Sequence, residues 1–592
     1  MNKITRGQWL REDKEQNAKN KTKTHQRFLL LFNYVYSYYK INPSINNMPK
    51  KDTNHRHFDY IIVGAGPAGL QLGYFFQKHN YNYVIIEKSH QCGAFFDKFP
   101  IHQKLISINK VHTGSEDAEF NLRHDWNSLL TYEEEPFLFK EYSEEYFPNS
   151  KDYVKYLNDF KTKFDINVSF NTCVKKISKK NNTFTVSTHT VATFSCENMI
   201  AATGYNNPTQ HYVVKSDKYN VVDYADLTMD KEQFKNKNIL ILGLGNSGFE
   251  TANYLLGSCA IIHMASIKSE TKNKHANKKM SYTSHYPGDL RSVNATFLDS
   301  YLLKSQNVII GNINENSAEP DENNTICLDK EIQDGIERYN YLFDYDFIIN
   351  CSGFGMDKSV FDKTIGIELA RNKIPKIDSK FQCINCENLY FIGTMSQYLD
   401  LKKSSGAFIH GFRYLTRALF HIFQNEKFDK EWDSDIIQYD NMCDYIIKRL
   451  NSSSSIYQNF GGFMSDFFFV FTDENDIKTF KYIKDVPINY VPILCKKYNT
   501  TNIIKVSLEY GEEPFKDSPF NGSRITTEKQ GAHNSNFLHP IFTVITGDTI
   551  AAKLHILENH NNIWGTPDNE EHSRIVKEPI SALIYKFYND EM

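Results

Sequence analysis

A glycine-rich turn set between an apolar strand and a helix constrains this chain most tightly. Residues 58–87 read FDYIIVGAGPAGLQLGYFFQKHNYNYVIIE. Residues 60–63 form an apolar run of buried-strand length, and Gly64-x-Gly66-x-x-Gly69 follows at once. Residues 70–79 carry apolar side chains at helical spacing; residues 83–86 are a second apolar strand ending on Glu87. Strand, glycine turn, helix, strand and terminal acid within about 30 residues are the fingerprint of a dinucleotide-binding βαβ unit. Gly64 permits the tight turn, Gly66 lets a pyrophosphate approach the backbone, and Gly69 allows close helix–strand packing. The free N–H groups and positive dipole end of the helix suit the diphosphate, and Glu87 suits ribose hydroxyls. The expected cofactor contacts are Gly64, Gly66, Pro67, Ala68, Gly69, Glu87 and Lys88.

The fingerprint recurs. Residues 238–256 read NILILGLGNSGFETANYLL, with Gly243-x-Gly245-x-x-Gly248 again between strand and helix, and the strand AIIHMAS follows. Two such units are far more specific than one. One holds a nucleotide that stays and the other a nucleotide that comes and goes. Gly243, Gly245, Asn246, Ser247 and Gly248 are the second set of expected contacts. No acid closes this second strand; Ser266 and Lys268 stand there instead. A carboxylate would repel a 2′-phosphate, whereas a lysine pairs with one, so NADPH is favoured over NADH. Lys272, Lys274, Lys278 and Lys279 read as a solvated loop.

Three further apolar runs close on glycine. Residues 199–204 (MIAATG) read as a segment crossing beneath the first nucleotide, and residues 346–354 (DFIINCSGF) repeat the pattern. Residues 388–394 (NLYFIGT) lead to a helix expected over 406–423, whose N-terminus would face a flavin ring. Gly204, Gly393 and Gly406 join the expected contacts. Further elements expected are a helix over 151–164, strands at 167–170 and 184–187, and a surface loop over 312–334. The fold class is α/β, with two dinucleotide-binding, Rossmann-like domains. An NAD(P) domain is inserted in an FAD domain, and a mixed α/β or α+β C-terminal region follows. The expected boundaries are 1–55 for an N-terminal extension, 56–215 and 335–425 for the FAD domain, 216–334 for the NAD(P)H domain and 426–592 for the C-terminal region.

Composition excludes other classes. A formal charge of −3 and a pI near 6.7 give no general attraction to nucleic acid or membrane. No apolar run reaches the ~18 residues of a membrane span. Ten scattered cysteines exclude a small disulfide scaffold, and no metal-ligand spacing is present. Cys383-Ile-Asn-Cys386 has thiol redox spacing but stands outside both nucleotide units, and it reads as a surface coincidence. The basic lead 21–27 before the apolar run 28–39 reads equally as a secretory signal or as an extension with an aromatic patch. Asn451 and Asn521 open glycosylation-type triplets that read as chance matches in an Asn-rich chain. Residues beyond 425 carry no legible motif chemistry.

The order GAGPAG, Glu87, MIAATG, GLGNSG, IINCSGF and FIGT resembles the flavin-dependent monooxygenase superfamily. HQKLISINK, AEFNLRHDWNSLL, HYPGDLR, SSGAFIHGFRYLTRA and NFLHP narrow the resemblance to the FAD-dependent oxidoreductase domain-containing proteins of the endoplasmic reticulum, over about residues 56–580. The resemblance implies FAD at the first unit and NADPH at the second. It implies residence in the endoplasmic reticulum lumen beside the degradation and disulfide-reduction machinery for misfolded glycoproteins. It also places Asn109 beside flavin C4a, as a catalytic residue, where oxygen reacts. His124, Asp125, His285, Asp289, Arg291, His410 and Arg413 lie in the shared blocks and read as satisfied polar core or cofactor contacts. Relatives begin with a clear signal peptide and end in a KDEL-like tail, whereas this chain ends Asn589-Asp590-Glu591-Met592, so the cytoplasm is the alternative location. The expected activity is NADPH-dependent flavin oxidoreduction of monooxygenase type. The alternatives are a thiol-disulfide reductase partner and a weakly catalytic flavin-bound adaptor.

Overall fold

The computed structural model describes residues 55–190, 192–205, 207–208, 213–228, 230–266, 297, 300, 303–312, 325–327, 345–351, 353–370, 373–400, 404–472, 478–511, 529–535, 537–559, 561–565 and 570–589. Lys268, His285, Asp289, Arg291 and Asn521 lie outside these residues, as does the N-terminal extension up to residue 54.

The first glycine unit folds as β1 (His55–Val63), α1 (Pro67–Lys78) and β2 (Tyr83–Ile86), with β1 and β2 parallel. Continuous apolar runs suit strands covered on both faces. Helix α2 (Ser150–Lys163) is capped by Asn149, whose side chain accepts from the Lys151 N–H. It leads to β3 (Val168–Ser169), then β4 (Val174–Lys180), β5 (Thr183–Thr188) and β6 (Thr193–Ala201). The sheet runs β3-β2-β1-β6-β5-β4, and a late strand, Leu389–Phe391, joins β6 in parallel.

The second unit builds a sheet of its own. Its strands are β7 (Asn220–Asp223), β8 (Asn238–Leu242), β9 (Ile261–Ser266), β10 (Val308–Asn312) and β11 (Phe347–Asn350). They lie in the order β10-β9-β8-β11-β7 and pair in parallel throughout. Helix α3 (Asn246–Leu255) follows β8. The expected loop over 312–334 is corrected in part: Thr325–Cys327 is a short strand paired with Val213–Lys215.

The late strand of the first sheet is β12 (Leu389–Phe391), followed by helix α4 (Ile409–Phe428). The C-terminal region is an antiparallel sheet flanked by helices. Its strands are β13 (Ser434–Ile437), β14 (Met464–Thr472), β15 (Lys478–Pro487), β16 (Asn502–Glu509), β17 (His539–Thr546) and β18 (Thr549–His555), in the order β13-β15-β14-β16-β17-β18. Alternation along β14 sorts its aromatics to two faces. Phe467 and Phe469 join the core that contains α1 and α4, whereas Phe468 packs with α5 (Met442–Ser452) and α6 (Glu570–Tyr588). One apolar core thus runs from the first sheet through α4 into the third. Asn451 donates to the Trp564 carbonyl and accepts from the Trp564 N–H, so its amide is already used within this region.

Two histidines, His263 buried and His421 half-buried, tie stability to pH. His263 on β9 sits with Nδ1 2.7 Å from the Tyr345 hydroxyl, and burial holds its pKa down at about 4. Burial also lowers His421 on α4. In the unfolded chain such groups bind protons near pH 6.5. Between these values the unfolded state binds more protons than the folded one. Stability is therefore at its full value above pH ~6.5 and declines as pH falls toward 4. The urea midpoint should drop across that window; a flat profile would contradict this assignment.

Candidate functional site

The two glycine turns adopt the same geometry. Gly64 and Gly243 have φ of 109° and 119°, a region that L side chains rarely enter. A Cβ on Gly64 would stand 2.7 Å from the Ala202 carbonyl oxygen, and one on Gly243 would collide with the Cys351 carbonyl. The third glycines, Gly69 and Gly248, press on the carbonyls of Gly64 and Gly243. The middle glycines, Gly66 and Gly245, face open space within 4 Å. Each turn is therefore rigid on two sides and open on the one where a diphosphate would lie.

The helix ends facing these openings are bare. Gly66 caps α1 and Gly245 caps α3, neither helix has a side-chain cap, and neither carries an acid in its first turn. The orphan N–H groups and the dipole are left for an anion. Asn246 adds a buried side-chain oxygen with no hydrogen-bond partner. Glu87 accepts from the Ala65 N–H and the Ser89 N–H, both at 2.8 Å, and so braces the first turn. Its buried carboxylate keeps further lone pairs on the cavity side. These features fit a dinucleotide at each turn.

One cavity of 1480 Å³ joins the turns; Gly64, Gly66, Pro67, Ala68, Glu87 and Lys88 line it, as do Gly243, Gly245, Asn246 and Ser247. Part of its lining is an aromatic cluster that sequence reasoning missed. Phe99 stacks on Tyr224 at 5.7 Å and meets Phe354 edge-on at 5.0 Å. Beside it, His102 Nε2 lies 3.0 Å from Glu250 Oε2. The Lys104 N–H donates to His102 Nδ1, which places the ring proton on Nε2, toward Glu250.

Gly204 (φ 64°) and Gly393 (φ 71°) line the same cavity, and a Cβ on Gly393 would stand 2.9 Å from the Ala68 Cβ. Other expected positions differ. The helix expected from residue 406 begins at Ile409, because Phe408 is extended and serves as its N-cap. Gly406 does not line the cavity; its Cα packs where a Cβ would come within 2.8 Å of Asp400 Oδ2. Ala407, Phe408 and Ile409 form the cavity wall there. Asn109 is buried away from that wall, and its amide donates to the Ser143 carbonyl at 2.7 Å and the Glu145 carbonyl at 3.4 Å. Ser266 ends β9. Gly69 and Gly248 act from behind the wall, through packing.

The shared-block residues are largely structural. Arg413 is fully buried and donates to the carbonyls of Asp125, Ser128 and Leu122. Asp125 accepts from the N–H groups of Asn127 and Ser128. His410 stacks on Trp126 at 4.0 Å. The CxxC pair is not on the surface: Cys383 and Cys386 are both buried, both free, and outside the cavity lining. Burial raises both thiols, the opposite of what a thiolate nucleophile needs. Among the described residues no cluster suits a metal ion, and no helix is long and apolar enough to cross a membrane.

Residues 61–393 match the family model described as pyridine nucleotide-disulphide oxidoreductase. The FAD-dependent oxidoreductase domain-containing protein 2 of Mus musculus is 32% identical over 519 residues, covering 82% of this chain and 76% of the mouse protein. Its Danio rerio counterpart is 29% identical over 533 residues, covering 82% and 75%. A bacillithiol disulfide reductase from Staphylococcus aureus superposes with a TM-score of 0.43 at 17% identity, covering 63% of this chain and 99% of that one. The chain belongs to the pyridine nucleotide-disulphide oxidoreductase family and is a flavin-dependent oxidoreductase.

Proposed function

We propose that this flavin-dependent oxidoreductase takes its electrons from NADPH and delivers them to molecular oxygen, oxygenating a soft nucleophile. The observation that carries the reading is the single cavity shared by two identically built glycine turns. FAD supplies the redox chemistry when bound. The protein binds and orients. The α1 N-terminus holds the FAD diphosphate over Gly66, and Glu87 accepts from the adenosine ribose. The α3 N-terminus holds the NADPH diphosphate over Gly245, and Asn246 accepts from a donor on that nucleotide. Phe99, Tyr224 and Phe354 form an apolar part of the cavity wall and would help to exclude water when the cofactors are bound. Oxygen is preferred over a disulfide as acceptor because the CxxC thiols are buried outside the cavity.

A test is aerobic turnover with a thioether probe. NADPH, a proton, oxygen and thioether should give NADP⁺, water and sulfoxide, with NADH less effective. Equal or better use of NADH would overturn the cofactor assignment, and oxidation of NADPH with no oxygenated product from any thioether, amine or thiol would overturn the acceptor. The reading extends to the endoplasmic reticulum lumen, beside the degradation and disulfide-reduction machinery. Resemblance of the sequence blocks supports that part. Protease protection of the chain in intact microsomes is the expected result, and digestion without detergent would contradict it.

A further inference from the structure

Gln397, Tyr205 and Lys373 meet on one side of the cavity wall, far apart in the sequence. The Gln397 amide nitrogen donates to the Thr394 carbonyl at 2.9 Å and to the Tyr205 hydroxyl at 2.7 Å. A carbonyl only accepts, so the orientation of this amide is fixed. Its Oε1 is then left buried with no hydrogen-bond partner. A buried orphan acceptor is costly and calls for a donor. The Tyr205 hydroxyl accepts from Gln397, so its own proton remains to be given. Lys373 Nζ stands 5.2 Å from the centre of the Tyr205 ring. Among the described residues no carboxylate pairs with it, and burial alone lowers its pKa.

We propose that Lys373, Tyr205 and Gln397 form a subsite for a carboxylate with a neighbouring N–H, as in an N-acylamino acid or a peptide end. Lys373 and Tyr205 donate to the carboxylate, and Gln397 Oε1 accepts from the N–H. A phosphate satisfies the first two groups and leaves Oε1 orphaned. The imide edge of a flavin offers the same pairing of acceptor oxygen and N–H, but it is uncharged when oxidised and does not answer the ammonium. The inference rests on the reading that the cavity also holds FAD, and it deepens that reading by naming a substrate class.

Calorimetry on the full, FAD-loaded chain tests it with three probes. N-acetylglycine has both groups, its methyl ester lacks the charge, and N-acetylsarcosine lacks the N–H. N-acetylglycine should bind, with each of the others weaker by about tenfold. Lys373→Met should weaken N-acetylglycine by about tenfold, with FAD still retained. Gln397→Met should erase the difference between N-acetylglycine and N-acetylsarcosine. Equal affinity for the three probes, or no heat at any soluble concentration, overturns the subsite. Loss of FAD from Lys373→Met, with probe binding intact, assigns these groups to the flavin and also overturns it. Failure of the parent protein to hold FAD would defeat the flavoprotein reading separately, since calorimetry reports probe binding without the flavin.

Discussion

Gly66→Ala is expected to leave the fold intact and to strip the protein of FAD. Gly66 is extended, with φ −80° and ψ −177°, so alanine adopts its backbone without strain. The new methyl meets nothing within 4 Å, and stability should stay within about 1 kcal/mol of the parent. That methyl occupies the place the diphosphate needs. Overpacking of this kind costs about 1–3 kcal/mol, up to roughly hundredfold in affinity. Gly245→Ala is the matching change at the second turn, where the added methyl again meets nothing. It should retain FAD while weakening NADPH by a similar factor. Gly69→Ala is the contrast: its methyl strikes the Gly64 carbonyl, so the fold itself should suffer. Flavin absorbance and the thermal midpoint of each purified variant check all three. A Gly66→Ala protein with a full flavin complement would remove the diphosphate from this turn.

Arg449→Met is expected to cost about 3–5 kcal/mol, because it leaves the buried Asp466 carboxylate without its cation. Arg449 on α5 donates from Nε to Asp466 at 2.8 Å and also pairs with Asp485. Asp466 is fully buried and further accepts from the Tyr482 hydroxyl and the Asp485 N–H. Arg417 on α4 holds the other oxygen of Asp485 at 2.6 Å, so the network ties the C-terminal sheet to the helix behind the cavity. The first apolar core includes both α4 and one face of that sheet, so loss of Arg449 should lower a single unfolding transition. Urea unfolding followed by both flavin and aromatic fluorescence checks this. A midpoint unchanged from the parent, or two separate transitions, would contradict it.

The parts of the site legible in the sequence are those written within about thirty residues. Gly64, Gly66 and Gly69 specify their turn because strand, turn and helix are contiguous, and the same holds at Gly243, Gly245 and Gly248. The start of α4 was less legible. Ser404 and Gly406 resemble the opening of a helix, yet residues 404–407 form a bend and turn, Gly411 packs directly on the Ser405 carbonyl, and only at the extended Phe408 is the helix capped. The strand at Thr325–Cys327 was hidden because its partner lies more than a hundred residues earlier. His102 and Glu250 are 148 residues apart, and no spacing announces their contact. Lys373 and Gln397 likewise acquire meaning only when the cavity brings them to Tyr205. Asn109 is placed by resemblance alone, and its amide nitrogen donates to the Ser143 and Glu145 carbonyls.

The most direct measurement is rapid anaerobic mixing of the purified FAD-loaded chain with NADPH, followed by flavin absorbance. Bleaching of the flavin that is fast with NADPH, slower with NADH and, in Gly245→Ala, dependent on up to roughly hundredfold more NADPH is the expected result. A flavin that neither nucleotide bleaches would contradict transfer of hydride between two nucleotides in one cavity.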